Sequence, residues 1–153
     1  MRSFADALYA IALTLWVGGM WAIGCIVAPL LFSALSDRAL AGMVAGRLFT
    51  VIAWLGLSCA VYMLLFRLVR FGAACLKQGL FWLVLVMLAL VVAGEFGVQP
   101  ILSGLKVQAL PKEVMESVFR DRFSTWHGIA SVLYLIECAL GAALVWLQGR
   151  DPR

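Results

Sequence analysis

Charge is scarce in this sequence. Asp, Glu, Lys and Arg make up 13% of its 153 residues, and there is one histidine. Soluble chains carry about 25% charged residues. The scarcity excludes an intrinsically disordered chain and a nucleic-acid-binding domain, both of which depend on charge density. Cysteine gives no framework either. Cys25, Cys59, Cys75 and Cys138 are far apart with no C-x-x-C, which excludes a disulfide-stapled mini-protein and does not support structural zinc. They read as small buried hydrophobes. No G-x-S-x-G, P-loop or H-E-x-x-H occurs, so no soluble-type catalytic motif is present.

What the chain has in abundance is apolar sequence. It is 65% hydrophobic, with a mean hydropathy of +1.04. Its length allows one domain. Four continuous apolar runs each meet the requirement of about 20 residues for a membrane-spanning helix. The expected fold class is therefore an all-α integral membrane protein, a four-transmembrane-helix bundle. The helices are expected over about 4–35, 37–69, 78–101 and 124–147, with a polar outer link over about 102–123. Continuous rather than alternating apolar sequence excludes a β-barrel. The first run is too long for the roughly 7–15-residue core of a signal peptide and reads as a retained helix.

Local signals refine this outline. Ser36 or Asp37 is a candidate N-cap for the second helix. Pro29 is expected to kink the first near its end. The first two helices exceed the bilayer core and must tilt or protrude. Pro111 to Arg120 could form a short amphipathic helix at the interface. Trp126 and Trp146 flank the fourth helix as an aromatic belt would. Gly18 and Gly19 in the first helix, and Gly42 and Gly46 in a G-x-x-x-G of the second, read as helix-packing positions.

Loop charge bears on orientation. The N-terminus, the second-to-third link and the C-terminus carry Arg2, Arg67, Arg70, Lys77, Arg150 and Arg153. The opposite side carries Arg38, Arg47, Lys106, Lys112, Arg120 and Arg122, an equal number. Short loops weigh most in the positive-inside rule. The short basic link therefore favours both termini on the cytoplasmic side of a bacterial inner membrane.

Ionisable groups at membrane depth are costly and usually face the bundle interior. Arg47, Glu95 and His127 come from three helices toward one outer-leaflet level, with Gln99 one turn beyond Glu95. Glu137 lies near the midplane. At 100° per residue His127, Ser131, Tyr134, Cys138 and Gly141 share a stripe, with Glu137 at its edge. Arg47, Trp54, Ser58 and Tyr62 share another. The expectation is a polar outer-leaflet cavity lined by Arg47, Glu95, Gln99, His127, Tyr134 and Glu137. Such a cavity would bind a small ligand, metal ion, lipid or membrane partner. His127 and Glu95 are the candidates for a metal, no cofactor is required by the sequence, and no nucleic-acid partner is implied. The lipid bilayer is the general partner, with a homo-oligomer or membrane-protein partner open. A haem- or quinone-linked oxidoreductase and a structural or assembly factor are the alternatives, and the balance lies with a non-enzymatic bundle.

The stretches Leu15 to Trp21, Ala28-Pro29-Leu30-Leu31-Phe32 and Arg47-Leu48-Phe49 are followed in order by Gln99-Pro100 and Trp126-His127-Gly128-Ile129-Ala130-Ser131. Together they resemble the small membrane proteins related to eukaryotic transmembrane protein 205, over nearly the whole chain. The resemblance implies a four-helix fold rather than an activity, because that family is a domain of unknown function. Its basic residue before Leu-Phe falls on Arg47 and its His-Gly on His127 and Gly128. A polar Asn expected after the His is Tyr134 here. The family is more distantly similar to the membrane part of copper-resistance protein D and to a haem-linked protoporphyrinogen oxidase family. Those relatives imply metal, haem or quinone chemistry near the membrane surface. The oxidases use more than one histidine, which this chain cannot supply alone.

Overall fold

In a computed structural model, residues 4–109, 115 and 117–150 are described. Every regular element among them is helical. Four helices are long and apolar enough to cross a membrane: α1 (Phe4–Ala34), α2 (Arg38–Lys77), α3 (Gly79–Ala109) and α4 (Arg120–Arg150). Consecutive helices pack side by side, and α4 returns to α1, so the four close into an up-down-up-down ring. The fold class is that of a four-helix membrane bundle.

The hairpin ends follow from local chemistry. Asp37 caps α2, its carboxylate accepting from the backbone N–H of Ala39 at 2.9 Å and of Leu40 at 3.1 Å, which satisfies two donors with no partner inside the helix. The α-helical part of α2 ends at Phe71. Gly72 then takes φ +54°, a left-handed conformation that favours glycine.

The core is thin and the surface apolar. Trp16, Met63, Met87, Val84 and Leu144 are fully buried, while Ile11, Leu15, Val51, Leu65, Val86 and Leu135 are exposed. A soluble monomer rarely shows such continuous apolar surface. Here the surface suits hydrocarbon.

Arg67 departs from the sequence reading. It was assigned to the link, yet its side chain is buried inside α2. Its guanidinium donates to Gln78 Oε1 at 2.7 and 3.1 Å and to Tyr9 Oη at 3.4 Å. It also lies over the Phe71 ring. These partners tie α1, α2 and the start of α3 together and offset the cost of burying a cation. The exposed basic residues of the short link are thus Arg70 and Lys77.

The third and fourth helices are longer than their apolar runs. α3 continues through Pro100 to Ala109 and α4 begins at Arg120. Of the expected amphipathic segment, residues 111–114 and Glu116 lie outside the described residues. Ser117–Phe119 form a turn in which Arg120 N–H donates to Ser117 O at 3.2 Å.

Candidate functional site

Two helices share one irregularity. α1 widens into a π-turn over Ala22–Val27 and α3 into another over Ala93–Val98. Each ends two residues before a proline, Pro29 and Pro100. A proline removes a donor and clashes with the carbonyl four residues back. In both helices the residue before the proline reaches one residue further than usual. Ala28 N–H bonds to Ile23 O and Gln99 N–H to Gly94 O. Each π-turn thus absorbs its proline without ending the helix. This explains why α3 passes Pro100.

The π-turn of α1 is closed from the neighbouring helix. Tyr134 of α4 donates its hydroxyl to Met20 O at 2.7 Å and accepts from the Gly24 N–H. A Cβ on Gly24 would stand 2.5 Å from the Tyr134 ring. Phe49 of α2 holds the other edge of that ring, with centroids 5.0 Å apart. Trp21 Nε1 donates to Cys138 O at 3.2 Å. One turn deeper, Trp16 is fully buried and its indole donates to the Glu137 carboxyl. A Cβ on Gly56 would land on the indole nitrogen of Trp16, so α2 needs a glycine there. Tyr134 and Glu137 are therefore used inside the bundle, as a knot joining α1, α2 and α4.

A second polar group lies on the α2–α3 seam. Gln99 Nε2 donates to Thr50 Oγ1 at 3.3 Å, and the Thr50 side chain bonds the Glu95 carboxyl. The hydroxyl has one hydrogen to give, so the chain runs Gln99 to Thr50 to Glu95. Arg47 sits one turn from Thr50 on the same side of α2 and is exposed. Among the described residues neither Arg47 nor Glu95 takes part in an ion pair. Beside this group Trp54 of α2 and Phe96 of α3 meet edge to face with centroids 5.8 Å apart, 51% and 56% exposed. This seam is lateral and open rather than an enclosed cavity.

The remaining candidates lie elsewhere. His127 is exposed and stacks on Phe123 at 5.8 Å, with Lys106 Nζ 5.7 Å from the centre of the same ring. His127 has no contact with Glu95, and among the described residues no group of three His, Cys, Asp or Glu could hold a metal ion. Trp54 and Ser58 of the expected α2 stripe face outward. Ser58 and Ser131 spend their hydroxyls on their own helices, at Trp54 O and His127 O, both 2.9 Å. That local bond lets a serine face lipid at little cost. Tyr62 reaches Ala5 O at 3.1 Å.

Among the four expected packing glycines, Gly19 is close to a neighbour, with Ile52 Cδ1 2.5 Å from an added Cβ. Gly42 meets Phe32 at 3.9 Å, and Gly18 and Gly46 meet nothing within 4 Å. Approaches as tight as that of Gly19 occur at Gly24 and Gly56, which the sequence reading did not single out, with Gly141 against Val17 and Met20 at 3.2 Å. Sequence reasoning also missed Thr50, whose signal was a polar residue one turn from Arg47.

A family model described as a domain of unknown function (DUF4149) matches residues 11–111. The chain belongs to that family. No curated protein and no solved structure matches it.

Proposed function

We propose that this member of a domain-of-unknown-function family is a non-enzymatic bundle of the bacterial inner membrane that binds a polar occupant from the side, at the α2–α3 seam. One observation carries the reading. Arg47 and Glu95 stand on neighbouring helices around Thr50, without pairing to each other. Ionisable groups at membrane depth are normally paired, so an outside molecule that satisfies both has a strong advantage there. Arg47 supplies fixed positive charge, Glu95 accepts, and Thr50 with Gln99 holds the carboxyl in place. The knot of Trp16, Glu137 and Tyr134 acts as the scaffold.

Orientation is part of the same reading. The short link with Arg70 and Lys77 favours the cytoplasm for both termini and puts the seam toward the outer leaflet. A reporter fused at Arg153 that is active only outside the cytoplasm would reverse it. The order of the stretches around Trp16, Arg47 and His127 supports kinship with proteins related to transmembrane protein 205 and, more distantly, the copper-resistance protein D membrane part.

Native mass spectrometry with elemental analysis of detergent-purified protein tests the function. The wild type is expected to retain a bound polar molecule, and Arg47→Ala and Glu95→Gln to lose it while staying folded. Full retention in both variants would rule the seam out.

A further inference from the structure

Resting on the lateral-site reading, we infer that the seam's occupant is a phospholipid whose head group carries both a phosphate and a primary ammonium, of the phosphatidylethanolamine kind. The first argument is charge. Arg47, one turn from Thr50 on α2, and Glu95, bonded to Thr50 from α3, offer one cation and one anion around the same threonine. A zwitterion whose two charges are joined by a short carbon link answers both at once. An anionic lipid would satisfy Arg47 and leave Glu95 facing another negative charge.

The second argument is hydrogen bonding. Gln99 donates to Thr50, which leaves the one Thr50 hydroxyl hydrogen free to serve Glu95 beside it. The carboxylate keeps further lone pairs, all acceptors. A primary ammonium brings three N–H donors, whereas a quaternary ammonium brings none, so ethanolamine fits and choline does not. Arg47 presents the planar fork that matches phosphate oxygens.

The third argument is access. A Cβ at Gly46, Gly94 or Gly97 would meet nothing within 4 Å, so the backbone around Arg47 and Glu95 is uncovered. Beside Glu95, the exposed rings of Trp54 and Phe96, packed edge to face, provide an apolar surface for the upper acyl chain.

The test is native mass spectrometry of the full chain titrated with three lipids of identical acyl chains, bearing ethanolamine, choline or glycerol head groups. The wild type should retain the ethanolamine lipid about fivefold to tenfold better than either competitor, a difference of about 1–1.4 kcal/mol. Glu95→Gln should abolish the preference over the glycerol lipid. Arg47→Ala should lower retention of all three, and Arg47→Lys should recover most of it. Val69→Ala, on an exposed position of α2 near its other end, controls for general effects. Equal retention of the ethanolamine and choline lipids, or stronger retention of the glycerol lipid, overturns the inference. A native adduct that is not an aminophospholipid, yet is lost in Arg47→Ala and Glu95→Gln, also overturns it and leaves the lateral site standing. An adduct indifferent to both variants removes the site as well.

Discussion

The bundle contains two proline-marked π-turns built to one plan, and they are finished differently. In α1 the turn is filled by a tyrosine from α4, whose hydroxyl serves Met20 O and Gly24 N–H. In α3 the corresponding stretch carries Glu95, which is half-buried and interacts with Thr50 of α2. The first arrangement uses up its polar groups, and the second leaves a charge available. A polar residue inside a membrane does not by itself mark a binding site. Whether its neighbours satisfy it decides between scaffold and site.

The contrast can be broken from the scaffold side first, where the largest effects are expected. Gly56→Ala puts a methyl group on the Trp16 indole nitrogen and should cost about 1–3 kcal/mol, seen as a lower unfolding temperature in detergent. An unchanged midpoint would mean that Trp16 does not occupy this position. Trp16→Phe should lose a comparable amount, because Glu137 keeps its burial but loses its donor. Tyr134→Phe leaves Met20 O and Gly24 N–H without their shared hydroxyl. It should cost about 1–2 kcal/mol and speed hydrogen exchange around Gly24. Protection equal to wild type there would show the π-turn to be self-sufficient. At the seam, Arg47→Ala and Glu95→Gln should remove the bound molecule and change the stability of the occupant-free protein by less than about 0.5 kcal/mol. A large loss of stability in either would move the seam into the scaffold.

The number and identity of the helices were legible in the sequence because a continuous apolar run of spanning length is a one-dimensional signal. The facing of the polar residues was not. A helical wheel assumes a constant 100° per residue, and each π-turn shifts that phase, so registers drawn through Ala22 or Ala93 drift. Ser58 of α2 and Ser131 of α4 lie in helices without a π-turn and were misread for another reason: a wheel turns a polar side chain inward, whereas each hydroxyl satisfies itself on its own helix. Arg67 looked like a link residue because charge usually marks a helix end. Gln78 and Tyr9, which make its burial possible, are eleven and 58 residues away in sequence. Glu95 and Gln99 both meet Thr50, a residue that a search for ionisable groups passes over, and Arg47 lies one turn from it on the same helix.

The most direct test compares what each protein carries out of the membrane and how well it holds together. Wild type, Arg47→Ala, Glu95→Gln and Tyr134→Phe would be purified in parallel and weighed intact by native mass spectrometry, with unfolding temperatures taken on the same samples. The account predicts that the two seam variants emerge empty but folded, as stable as wild type stripped of its occupant, and that Tyr134→Phe emerges loaded but less stable than loaded wild type. Seam variants that keep their adduct, or that lose it only by unfolding, would contradict it.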